Sequence, residues 1–152
     1  MTVDGLFSRF NPLIGAVLRS PAHFLLSPGL MLLTVTGRRT GRRYSIPVGY
    51  QRDGNDLVVL ISEAKSKQWW RNYRDARPVE LRLRGRERRG VAQVVRPEAP
   101  EFSRHAARTL RRLPFMGRVF RIDYDRKRGL TGPQVKELGE QIAMVSIALD
   151  ET

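Results

Sequence analysis

The sequence predicts one mainly β domain with flanking helices, an α+β arrangement whose strands close into a barrel or sandwich. Three observations carry this. Five short runs between Leu30 and Val95 are either β-branched and apolar or alternate apolar with polar residues. Turn signals separate those runs at short spacing, and a single helical stretch is inserted, which argues against an alternating α/β sheet. Helical periodicity lies mainly in the segments on either side. The 152 residues suffice for one sizeable core. No repeat, low-complexity segment or linker divides them, so residues 1–152 read as a single domain.

In order, residues 5–26 carry Leu6, Phe7, Phe10, Leu13, Ile14, Val17 and Leu18 at three- and four-residue intervals. This is an amphipathic helical segment, with Pro12 and Pro21 as candidate interruptions. Packing on the barrel is the simpler reading. Contact with a membrane surface is the alternative, helped by Arg9 and Arg19. Leu30–Thr36 reads as a buried strand. Tyr44, Ile46, Val48 and Tyr50 then alternate with Ser45, Pro47, Gly49 and Gln51, which predicts a strand with the first set packed and the second open. Asp53-Gly54 is a hairpin signal before the apolar run Leu57–Ser62. Glu63–Lys67 reads as a loop and Gln68–Ala76 as helical, with Trp69, Asn72 and Tyr73 within a turn of each other. Val79, Leu81 and Leu83 form an alternating strand. Gly85-Arg86 is the expected turn, with Gly first, and Glu87–Val95 returns. Pro97–Leu113 predicts a helix with the stripe Phe102, Ala106, Leu110 and Leu113, and a partly exposed His105 beside it. Val119–Tyr124 reads as a strand. Thr131–Gln134 is a capping box for a short helix through Gly139, and Ile142–Leu149 a last strand.

Composition excludes several chemistries. The chain has no Cys, which removes disulfides, thiolate nucleophiles and thiolate metal sites. His23 and His105 stand far apart without metal-ligand spacing, so a zinc site is not expected. No GxSxG, GxxxxGK[ST] or GxGxxG element occurs, and acidic residues are sparse. No apolar run approaches the roughly 20 residues that span a bilayer, no signal-peptide pattern opens the chain, and the cytoplasm is the default location. The net charge is +13, with 24 Arg against 4 Lys. Such an excess points to anionic partners, although a GC-rich genome also favours Arg.

The most informative stretch is Leu30–Tyr50. Gly37 and Gly41 bracket Arg38, Arg39 and Thr40, and Arg42 and Arg43 follow. Glycine lets a ligand approach backbone N–H groups, and Arg offers a rigid fork of donors that matches phosphate or carboxylate. The turn therefore reads either as an anion-binding loop or as a solvated connection kept charged for solubility. With so few candidate catalytic side chains, any chemistry rests with a bound cofactor.

TVTGRRTGRRYSIPVGY, followed by a strand and KQWWRNYRD, resembles the deazaflavin-dependent nitroreductase family of flavin and deazaflavin oxidoreductases. The resemblance spans Leu30 to about Val95. It implies a split β-barrel of the flavin-reductase, FMN-binding-like type, and coenzyme F420 as cofactor. Through it, Arg38, Arg39, Thr40 and Gly41 are expected to hold the anionic tail, and Pro47 and Val48 to line the ring pocket. Ser62, Trp69 and Asn72 match residues that wall the ring. The implied reaction is hydride transfer to a small-molecule electron acceptor: a quinone, a nitro compound or an activated alkene. The family's Ser-Lys-Gly-Gly loop is replaced by Ser62-Glu63-Ala64, so Lys65 or Lys67 would supply the missing cation. The family's C-terminal tyrosines, which shape the substrate site, reduce to Tyr124. The resemblance also implies N-terminal membrane association, and a homodimer is compatible with it. Alternatives are an FMN-binding oxidoreductase on the same fold, a non-catalytic cofactor carrier, or a basic barrel that binds nucleic acid. Few strand aromatics are available for that last role: Tyr44 and Tyr50 lie on the expected packed face.

Overall fold

Seven antiparallel strands form one continuous sheet in the computed structural model, which describes residues 29–37 and 39–151. The expected helix over residues 5–26 and Arg38 lie outside the described residues. The strands are β1 (Leu30–Thr36), β2 (Arg43–Gly49), β3 (Gln51–Asp53), β4 (Asp56–Ile61), β5 (Arg77–Leu83), β6 (Arg86–Val94) and β7 (Ala143–Leu149), in the spatial order β2-β1-β5-β6-β7-β4-β3. β2 and β3 are successive halves of one long strand that breaks at Tyr50. Its first half pairs with β1, from Leu30↔Gly49 to Thr36↔Arg43, and its second with β4, from Gln51↔Val58 to Asp53↔Asp56. One strand thus joins both edges of the sheet and curls it into a barrel. The barrel is closed where β3 meets β4 and split where β2 and the end of β4 share no ladder.

Alternation explains the core. Met31, Leu33 and Val35 face inward with Leu57, Val59 and Ile61, Val79, Leu81 and Leu83, and Val145 and Ile147. A second cluster on the outside of the sheet is covered by α1 (Pro100–Arg112), α2 (Met116–Val119) and α3 (Gly132–Gln141). Phe102, Ala106 and Leu110 of α1 are fully buried there with Phe120, Leu138 and Met144. α3 begins with the expected capping box: the Gln134 N–H donates to Thr131 Oγ1, and the Thr131 N–H donates to Gln134 Oε1.

Several expectations are corrected. Asp53-Gly54 does mark a hairpin, but its first arm, β3, is the continuation of the preceding strand beyond Tyr50, and the turn residues are Gly54-Asn55. The helical character expected over residues 68–76 is present as a 3₁₀ helix, Trp69–Tyr73, whereas a second, Ala64–Ser66, lies where a loop was expected. The β5–β6 turn is Arg84-Gly85, one residue earlier than expected. Both have positive φ, 49° and 79°, which matches the right-handed twist of the flanking strands. Helix α1 starts at Pro100, since proline lacks the N–H that a first-turn residue does not need. Val119–Tyr124 is not a strand; α2 ends within it and the remainder is irregular. Tyr44 is 41% exposed although it shares a face with Ile46 and Val48, because β2 is an edge strand there. Leu113 is exposed beyond the last turn of α1, whereas His105 is only 4% exposed.

Candidate functional site

The antiparallel pairing brings the end of β1, the start of β2, the end of β4 and the start of β5 to one end of the barrel. The Arg-bearing loop and the β4–β5 connection therefore meet in space, although 20 or more residues separate them in sequence.

The loop is internally ordered. The Gly37 N–H donates to the Arg42 carbonyl and the Gly41 N–H to the Gly37 carbonyl, each at 2.8 Å. Thr40 Oγ1 accepts from the Arg42 N–H at 3.2 Å. A Cβ at Gly37 would lie 3.0 Å from that oxygen, and Gly41 has φ +67°, so both glycines are required by the turn. Thr40 braces the loop, while Arg39 and Arg42 are exposed and form no salt bridge among the described residues.

Beyond β4, Lys67 Nζ donates to Ser62 Oγ at 3.4 Å, so these two expected residues do come together. Lys65 is exposed. Glu63, which occupies the position of the family's lysine, pairs with Arg121 at 3.3 Å. That guanidinium offsets a carboxylate that would otherwise repel an anion. The adjacent tryptophans divide. Trp69 is buried in the barrel core, edge-on to Tyr73 with ring centroids 6.3 Å apart. The Asn72 amide donates to its carbonyl at 2.9 Å. Trp70 is half-exposed, donates to the Ala64 carbonyl at 2.9 Å, and lies beneath the guanidinium groups of Arg71 and Arg74 at 5.5 and 5.7 Å.

Between loop and connection lies an open cleft of about 670 Å³. It exists because the β1–β5 ladder ends at Thr34↔Glu80. Pro78, with no N–H to donate, stands where the ladder would continue. Thr34, Thr36, Gly37 and Arg43 line it together with Asn72, Tyr73, Arg77, Pro78 and Val79, and Glu80, Arg89, Gly90 and Asp150 complete the lining. Arg43 is engaged by Glu80, whereas Arg77 forms no salt bridge among the described residues. The Tyr73 hydroxyl is pushed up to about 12, first by burial and then by nearby Tyr44, against an opposing pull from Arg77. Burial raises Tyr44 as well. Both phenols therefore stay protonated at neutral pH and can donate hydrogen bonds. Three guanidinium groups, Arg43, Arg77 and Arg89, stand in the lining against two carboxylates, Glu80 and Asp150, beside the neutral Tyr73 phenol. That cationic excess suits a ligand with an anionic group, and the volume is in the range of small-molecule sites.

Other expected residues lie elsewhere. Val48 is buried in the barrel core opposite Met31, and Pro47 is half-buried opposite Leu32. Tyr124 packs in the outer cluster near Gly117, and its buried hydroxyl has no hydrogen-bond partner among the described residues. None of the three lines the cleft, nor do Arg39, Thr40, Gly41, Ser62, Lys65, Lys67 or Trp69; of the expected residues that are described, Asn72 does. Tyr73 and Arg77, which do line it, were not expected there. Tyr73 lies one turn from Trp69, but nothing local signals Arg77.

Comparison with known proteins gives the family and the fold. The family model described as F420H(2)-dependent quinone reductase matches residues 19–116. An F420H(2)-dependent quinone reductase of Mycobacterium tuberculosis is 30% identical over 82 residues, covering 51% of this chain and 54% of that protein. The chain thus spans about half the length of the curated relatives it matches. Among solved structures, an F420-H2-dependent reductase superposes with a TM-score of 0.54 at 13% identity, over 78% of this chain and 93% of that one. The haem storage protein HutZ of Vibrio cholerae does so with a TM-score of 0.54 at 12% identity, over 86% and 87%. Both share the fold.

Proposed function

The chain belongs to the F420H(2)-dependent quinone reductase family, and from that premise we propose that it binds coenzyme F420 and transfers hydride from it to a quinone. The observation that carries this reading is the meeting of the Gly37–Arg42 loop with the β4–β5 connection across the cleft. F420, when bound, supplies a reduced deazaflavin ring as a two-electron donor. The chain's own residues hold and orient. Arg39, with Arg38 from outside the described residues, takes the anionic tail, and Arg77 adds a cation at the cleft. Thr40 and the two glycines keep the loop in its turn. Lys67 and Ser62 form a second polar wall, and Trp69 and Asn72 fix the connection that bears them. Tyr44 and Tyr73 remain neutral donors for an acceptor carbonyl.

Nitro compounds and activated alkenes are further acceptors under this proposal, since they take up the same hydride without a protein nucleophile. Residues 5–26 are proposed to contact the membrane surface, on the strength of their amphipathic spacing and Arg9 and Arg19. The test is a titration of F420 fluorescence, followed by oxidation of reduced F420 with a soluble quinone, a nitroarene and an activated alkene in turn. Quenching with quinone turnover is expected. Stoichiometric FMN binding without F420 quenching would replace this reading with the FMN alternative.

A further inference from the structure

The corner between α1 and α2, Leu113-Pro114-Phe115, stands out from the protein. Phe115 is 61% and Leu113 46% exposed, the most exposed large apolar side chains among the described residues. Proline stiffens the corner from within. Arg111 and Arg112 precede it and Arg118 follows, all exposed. Arg126 is tied to the same place through a 3.0 Å bond from its guanidinium to the Arg111 carbonyl. From Arg104 to Arg128 nine basic side chains face two acidic ones. The Arg121–Glu63 pair joins this segment to the loop after β4, so the corner flanks the end of the barrel that carries the cleft.

We propose that this corner docks on an anionic lipid surface, with Leu113 and Phe115 entering the boundary between headgroups and acyl chains and the arginines meeting lipid phosphates. Two apolar side chains on a convex corner are too little for a stable protein interface, which needs about 800 Å² from each partner. A soluble phosphate would use the arginines and leave the apolar tip without a role. A bilayer satisfies both: apolar groups gain by entering the interface, and juxtaposed cations gain from its negative potential. The docking stands independently of the activity proposed above. If that activity holds, docking brings the cleft to where a lipophilic quinone dissolves.

The absence of Cys makes the test direct, because one introduced Cys is a unique labelling point. Phe115→Cys carrying a nitroxide is mixed with phosphatidylcholine vesicles with and without phosphatidylglycerol. Expected is a label that becomes accessible to oxygen and shielded from an aqueous nickel complex with anionic vesicles only. The same label at Asn55→Cys, in the β3–β4 hairpin at the far end of the barrel, stays aqueous. Leu113→Ser with Phe115→Ser in one chain is expected to weaken vesicle binding roughly tenfold or more, with unchanged circular dichroism and melting temperature. Undiminished binding by that variant would overturn the proposal and move the contact to another surface, such as residues 1–28. Equal binding to neutral vesicles would overturn it too. So would a label already shielded without lipid, whether by the chain itself or by self-association seen on ultracentrifugation.

Discussion

Trp69 and Trp70 are neighbours in sequence and opposites in environment. Trp69 fills the mouth of the barrel core, while Trp70 spreads over the surface under two arginines. Trp69→Ala is expected to cost about 3–5 kcal/mol of stability by leaving a cavity. Trp70→Ala is expected to cost far less, because what it loses is mainly partly exposed cation–π contact. Urea denaturation of both variants checks this. Trp69→Phe keeps the core filled and is the variant in which cofactor affinity can be read without unfolding. Arg39→Ala with Arg77→Ala is expected to weaken full-length F420 several-fold, and a tail-less deazaflavin much less, because charge-assisted bonds are made to the tail. Raising salt is expected to reproduce part of that loss for exposed charges. Equal weakening of both ligands would show that these arginines do not read the tail.

Two elements carry their own tests. At Gly90 in β6, an added Cβ would lie 2.5 Å from the Ala148 carbonyl oxygen and 3.1 Å from Ile147 Cγ2. The β6–β7 ladder is therefore packed too closely for any side chain. Gly90→Ala is expected to destabilise by about 1–3 kcal/mol through overpacking, even though Gly→Ala in an unstrained strand would stabilise. A raised urea midpoint would show that the two strands can separate cheaply. In α3, Thr131→Ala removes the side-chain half of the capping box and is expected to cost about 1 kcal/mol. Thr131→Ser keeps the acceptor and is expected to retain most of that stability.

Stability of the whole molecule is coupled to pH through His105. This residue is fixed between α1 and the sheet, where the Gln51 amide donates to Thr109 Oγ1 at 2.7 Å and to the His105 carbonyl at 3.3 Å. Burial lowers its pKa from 6.5. Asp53, 3.6 Å from Nε2, pulls the other way together with Glu101, and Arg104 and Arg108 reinforce the lowering. The unfolded chain therefore binds a proton that the folded chain resists. The resulting stability is present above about pH 6.5 and is lost as pH falls below it. His105→Gln is expected to flatten that slope in denaturation measured between pH 7 and pH 5. An unchanged slope would assign the acid sensitivity to carboxylates.

Six of the seven barrel strands, all but β3, were legible in the sequence, as were the capping box of α3, the Gly-bracketed turn and its arginines. Each is a local matter: alternation sets which residues face the core, glycine sets the positive φ at residue 41, and a threonine three residues before a glutamine closes a cap. It also carried the family, through the motif between Leu30 and Asn72. What lies opposite what is settled by strand pairing, which no local pattern records. Only pairing could show that β2 and β3 are one strand joining both edges of the sheet, or that the β1–β5 ladder stops at Thr34. The cleft, and the presence of Arg77 and Tyr73 in its lining, follow from that stop. Burial of Trp69 rather than Trp70, and of His105, was equally hidden, since adjacent positions carry similar residues and differ only in which side the rest of the chain covers. Periodicity records which face is apolar. It does not record which neighbour fills that face, and the position of the site depends on the neighbour.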